Sequence, residues 1–128
     1  MNDNGRVFRK EKYITIESSF INNPKYTPIE KAVFNSLCTY AYGKGTCFPG
    51  QNGLAENLGI TKRTVINTLN SLKEKGGILV MKQYTESNRQ TVNMYFLADI
   101  DSKTGDFIRE SLNTYEELTK EPKKVKGK

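Results

Sequence analysis

The stretch from Leu54 to Val65, Leu-Ala-Glu-Asn-Leu-Gly-Ile-Thr-Lys-Arg-Thr-Val, constrains this chain more than any other. Apolar residues recur at helical spacing on both sides of Gly59, the residue type that enters a left-handed turn without steric cost. A first helix is therefore expected over about 51–58. A second opens at Thr61, a good N-cap, and runs through Val65, Leu69 and Leu72 to Lys75. Ala55 is small enough to stand where two such helices cross. Ile60 plugs the corner between them, Val65 packs the second helix onto the first, and Leu54 and Leu58 complete a small core. The same pattern turns Thr61, Lys62, Arg63, Ile66, Asn67 and Asn70 outward.

The flanks extend this unit. Thr27-Pro28-Ile29-Glu30 is a helix start with a capping Thr, Pro at the first helical position and Glu three residues after the Thr. Ile29, Val33, Leu37, Tyr40 and Ala41 follow at helical spacing as a buried face, and Gly43-Lys44-Gly45 ends the helix. Thr46-Cys47-Phe48-Pro49 allows only a bridging strand. After Gly76-Gly77, strand-like runs at 78–81 and 92–97 flank the polar residues 86–90, which predicts a β-hairpin with a long polar tip. Alternation over 13–17 predicts a short strand, and Asn22-Asn23-Pro24 a turn. Helix, strand, helix, turn, helix and hairpin is the element order of a winged helix-turn-helix. The expected fold is thus α+β: a three-helix core with a β-hairpin wing, spanning 13–98, after a flexible arm at 1–12.

Beyond it, 99–119 is expected to hold an amphipathic helix from 106 to 119, with Phe107, Ile108, Leu112, Tyr115 and Leu118 on one side. That stripe either packs back on the domain or forms a homodimer, which would place two recognition helices on successive turns of DNA. Residues 120–128 read as a disordered basic tail, a source of non-specific phosphate attraction or a linker.

Charge is unevenly spread along the 128 residues, whose formal net charge is +6. Residues 61–98 carry six basic and two acidic side chains, 99–119 two and six, and 120–128 five and one, so the local balance runs +4, −4, +4. A basic face, rather than uniform basicity, points to an anionic partner. The outward face of the second helix suits a major groove, where base edges can be told apart. Arg63 has the reach for guanine, Asn67 or Asn70 the amide for adenine, and Ile66 the apolar surface for a thymine methyl. Thr61, Thr64 and the helix N-terminus are candidates for phosphates, as are Gln51 and Asn52 on the first helix. Lys82, Asn88, Arg89 and Gln90 on the hairpin would lie over an adjacent minor groove, or form an ordinary polar hairpin surface.

Taken together, Tyr26-Thr27-Pro28-Ile29-Glu30-Lys31, Thr46-Cys47-Phe48-Pro49, the Leu54 to Val65 run and Leu72-Lys73-Glu74-Lys75-Gly76 resemble the winged helix-turn-helix domains of phage and plasmid replication initiators from Gram-positive bacteria. Gly77 departs from the usual single-glycine exit. The resemblance covers about half the chain and implies double-stranded DNA as partner, origin recognition or replication initiation and maintenance as role, and replication proteins as companions. Relatives of that kind include transcriptional regulators at promoters and relaxosome or partition accessory proteins, and a winged helix that docks a protein is a further alternative.

Enzymatic chemistry is not expected. The chain has no histidine, no Walker-type loop and no paired carboxylates beside a nucleophile, and Cys38 and Cys47 read as packing residues. Neither metal nor cofactor is expected, since zinc needs about four ligands at defined spacings. No apolar run approaches the roughly 20 residues of a membrane helix. With no signal-peptide pattern, the expected location is the cytoplasm, with the nucleoid or a plasmid.

Overall fold

The computed structural model describes residues 14–41, 45–121 and 123–125. Three helices and a three-stranded sheet form the core: α2 (Pro28–Ala41), α3 (Gln51–Leu58) and α4 (Lys62–Glu74), with β1 (Thr46–Cys47), β2 (Ile78–Met81) and β4 (Met94–Leu97). One short helix, α1 (Ser18–Ile21), precedes them. The sheet order is β1-β4-β2, antiparallel throughout, with Phe96 opposite both Thr46 and Leu79. The architecture is the expected α+β winged helix-turn-helix, with a C-terminal helical segment added.

The strand expected over 13–17 is not formed. Tyr13 lies outside the described residues, and 14–17 lead without pairing into α1. A single helical turn drops Phe20, fully buried, between the rings of Tyr26, Phe34 and Phe107, at centroid separations of 5.4–5.5 Å. Contacts of that geometry add to the area buried. An alternating pair of isoleucines offers nothing comparable, and Ile16 is left exposed.

Helix α2 starts as its sequence demands. The Thr27 amide donates to Glu30 Oε1 at 2.8 Å and the Glu30 amide to Thr27 Oγ1 at 3.1 Å, a reciprocal capping box. Its buried face is rotated from the expected one. Val33, Phe34, Leu37, Ala41 and Glu30 are buried, whereas Ile29 and Tyr40 are each 41% exposed. Phe34 decides the rotation, because turning Ile29 inward would withdraw that ring from Phe20 and Phe107. Cys38 and Cys47 sit in or against the core, where burial pushes their thiols up to about 11 and about 12.

The C-terminal region departs most from expectation. In place of one helix from 106, β5 (Asp99–Ile100) pairs with β6 (Phe107–Ile108), a 3₁₀ turn covers Arg109–Leu112, and only Asn113–Thr119 is α-helical, as α5. Extended backbone at 107 lets the Phe107 amide donate to the Tyr26 hydroxyl at 3.0 Å while its ring enters the core. Leu112 is buried and the Tyr115 ring stacks on Phe96 at 4.5 Å, so of the expected stripe only Leu118 stands largely exposed, at 57%. The stripe therefore packs back on its own domain. Phe107 also accounts for Gly77, since a Cβ there would lie 2.5 Å from the Phe107 ring.

The wing is longer than a simple hairpin. β2 continues into β3 (Gln83–Thr85), and the chain turns between Thr85 and Arg89, where the Thr85 amide donates to the Arg89 carbonyl at 2.8 Å. Part of the expected disordered tail is ordered here. Lys123–Val125 form β7, parallel to β3, satisfying an edge that would otherwise present unpaired amides and carbonyls.

One buried carboxylate joins these parts. Glu30, 4% exposed, closes the α2 capping box and accepts from Lys75 Nζ at 2.8 Å and from the Ser71 hydroxyl, both at the end of α4. Burial opposes its ionisation, but the bonds from Lys75, Ser71 and the Thr27 amide outweigh it and hold its pKa below 4.5. A folded-state pKa below the unfolded one stabilises fully above the unfolded value, and that contribution is lost as pH falls through the lowered one. Glu30→Ala should therefore cost about 2–3 kcal/mol at pH 7, as for a charged hydrogen bond left half-made. Urea unfolding at pH 7 and pH 3 should show the parent and variant converging at the lower pH.

Candidate nucleic-acid interface

The turn between α3 and α4 is built as the sequence demands. Gly59 takes φ +68°, its amide donates to the Glu56 carbonyl at 3.4 Å, and the Ile60 amide reaches back to the Ala55 carbonyl at 3.1 Å. This glycine-terminated cap satisfies carbonyls the helix end would otherwise leave open. Ala55, Leu54 and Val65 are buried, and Leu58 and Ile60 pack against the core edge. Helix α4 ends the same way, the Gly76 and Gly77 amides donating to the Lys73 and Leu72 carbonyls.

With both helix ends fixed, α4 presents a defined outer face. Lys62, Arg63, Asn67 and Asn70 are exposed, and Arg63, Asn67 and Asn70 follow one another at i, i+4, i+7 along one stripe. At 1.5 Å per residue that stripe is about 10 Å long on a helix of about 20 Å. Two candidates differ from expectation. Ile66 is half-buried, so it offers an edge rather than a free apolar side chain. Thr61 is occupied as N-cap, accepting from the Thr64 amide at 3.1 Å, and the two hydroxyls stand 2.9 Å apart with Thr64 half-buried.

The N-terminus of α3 contrasts with that capped end. Its N-cap is Gly50, which has no side chain to satisfy the first-turn amides. Gly50, Gln51 and Asn52 line a groove of about 400 Å³, together with Lys62 of α4 and Gln90, Val92 and Asn93 of the returning wing segment. The structure thus brings together candidates drawn from all three elements. Tyr95 lies in its lining, with burial raising its phenol and hydrogen bonds to Asn93 and Gln51 opposing that shift. Val92 and Phe48, 44% and 52% exposed, add apolar surface near this region. Asn93 and the Gly50 cap were not anticipated. A Phe-Pro-Gly run before a helix was the available signal for the second.

The other wing candidates are separate. Asn88 and Arg89 are exposed at the tip, with Asn88 at φ +68°, and neither lines the groove. Lys82 is exposed between buried Met81 and Gln83, hence on the outer side of the sheet. Among the described residues no three His, Cys, Asp or Glu side chains come together, and no described helix is long and apolar enough to cross a membrane.

Helices packed on a wing, with a basic outer face on the third, define a winged helix-turn-helix class. Residues 27–78 match the family model of a helix-turn-helix domain, a span that runs from the α2 capping box to the first residue of β2 and leaves the wing outside. No curated protein and no solved structure gives a match. The chain carries a helix-turn-helix domain over those residues.

Gly59→Ala should cost about 1–2 kcal/mol from its left-handed backbone alone, because an added Cβ there meets nothing within 4 Å. Thermal unfolding should show that loss with the α3–α4 fold retained by circular dichroism.

Proposed function

We propose that this protein binds double-stranded DNA in a sequence-specific manner, with α4 in the major groove and the wing beside it. The observation that carries the reading is the Arg63, Asn67, Asn70 stripe, flanked by a groove that joins the α3 N-terminus, Lys62 and Gln90. Groove widths of about 12 Å admit a helix, and three base steps of about 3.4 Å match the length of the stripe. Arg63 reads guanine and the asparagines read adenine. The uncapped α3 amides, with Gln51, Asn52 and Lys62, hold a phosphate that fixes the register. Thr61 and Thr64 serve chiefly to start α4. Arg89 and Asn88 reach the neighbouring minor groove or its phosphates.

The role favoured for this binding is origin recognition or replication initiation and maintenance for a plasmid or phage. Its support is the sequence resemblance through the α3–α4 region.

Arg63→Ala should weaken binding to a selected site by about 1–3 kcal/mol and leave binding to unrelated duplex almost unchanged. Fluorescence anisotropy against fragments selected from the element's own DNA measures both. Equal losses on both duplexes would remove Arg63 from base reading.

A further inference from the structure

We propose that Tyr95 is a positioning residue for DNA binding: its buried hydroxyl ties the returning wing segment to the start of α3, holding Gln51 and Gln90 in place before a duplex arrives. The inference rests on the duplex-binding reading above and deepens it. It names a residue that sets the contacts of others without making one.

The returning segment needs such a tie. Strand β4 begins only at Met94, and residues 91–93 belong to no strand. Two bonds fix this segment to β3. The Thr91 amide donates to the Gln83 carbonyl and the buried Gln83 side chain donates to the Val92 carbonyl, each at 2.9 Å. Both run within the wing, so neither sets its distance from the helices.

Tyr95 supplies that second constraint. It sits in the central strand, opposite Cys47 on one side and Val80 on the other, and is 1% exposed. Its side chain reaches the groove lining, where it is hydrogen-bonded to Asn93, two residues earlier, and to Gln51, the first residue of α3. Asn93 Oδ1 in turn accepts from Gln90 Nε2 at 3.3 Å. One relay therefore runs from α3 through Tyr95 and Asn93 to Gln90, and both its ends are proposed DNA contacts. Fixing them in the free protein removes an ordering cost that binding would otherwise meet.

A buried tyrosine hydroxyl also needs partners for its own sake, whatever the surface above it does. That role predicts a change in stability alone, so binding separates the two. The experiment measures affinity of the full chain for a selected site and for a mixed-sequence duplex across a salt series. Urea unfolding of the same proteins shows how much of each is folded. The parent is compared with Tyr95→Phe, which keeps the ring, with Asn93→Ala, and with the double variant.

Tyr95→Phe should stay folded and bind the selected site about tenfold more weakly, the worth of one or two hydrogen bonds. Its salt slope should equal the parent's, because no charge that meets a phosphate is removed. Asn93→Ala should weaken binding similarly, and the double variant should be little worse than either, since each breaks the same relay. A folded Tyr95→Phe protein that binds as tightly as the parent overturns the inference and leaves the hydroxyl a packing partner. Losses that simply add in the double variant overturn it too, because the two residues then act separately. A parent that binds no duplex overturns the duplex-binding reading itself, and this inference with it.

Discussion

The carboxylate of Glu30 holds the molecule's frame together. It opens α2 with a capping box and in the same position receives Lys75 and Ser71 from the far end of α4. The start of one helix is thus tied to the end of the proposed recognition helix. Lys75 extends the tie, donating also to the Lys25 carbonyl at 3.1 Å and standing 5.6 Å from the centre of the Tyr26 ring. Lys25 in turn pairs with Asp106, whose carboxylate also accepts from Asn23 at 2.8 Å. One polar corner therefore joins the loop before α2, α2 itself, α4 and the β5–β6 turn. A charge so buried is tolerated only because its hydrogen bonds are met.

With that corner holding one end of α4, the Gly59 turn holds the other. The exposed stripe lies between two fixed points, which is what a surface that reads base edges requires. The wing is anchored through a different set of contacts: β4 is the middle strand of the sheet, and Phe96 carries Tyr115 on its surface. The groove at the α3 N-terminus lies where the two anchored halves meet.

The parts legible in the sequence were those governed by local chemistry. The capping box at Thr27 and Glu30, the Thr61 cap, the Gly59 turn and the bounds 51–58 follow from side chains within a few residues of one another. What escaped depended on distant partners. Alternation at 13–17 gave way to a helical turn because Phe20 has three aromatic neighbours remote in sequence. Ile29 yielded to Phe34 for the same reason. The helical periodicity of 106–119 was genuine, but the Tyr26 hydroxyl and the core position of Phe107 favoured extended backbone at its start. Strand β7 could not be read from a lysine-rich end, since its pairing depends on an edge forty residues earlier. Of the candidate site, the α4 face was read directly, whereas the groove required tertiary structure to bring Gln51, Lys62 and Gln90 together.

The central claim is that duplex DNA lies across the outer face of α4 and the adjoining groove. The most direct test is a titration of ¹⁵N-labelled protein with a mixed-sequence duplex at low salt, followed by amide chemical shifts. The expected result is a contiguous set of changes over 61–70, at Gln51 and Asn52, and along 88–93. Changes confined to the outer side of α2 around Ile29 and Tyr40, with α4 unmoved, would contradict it.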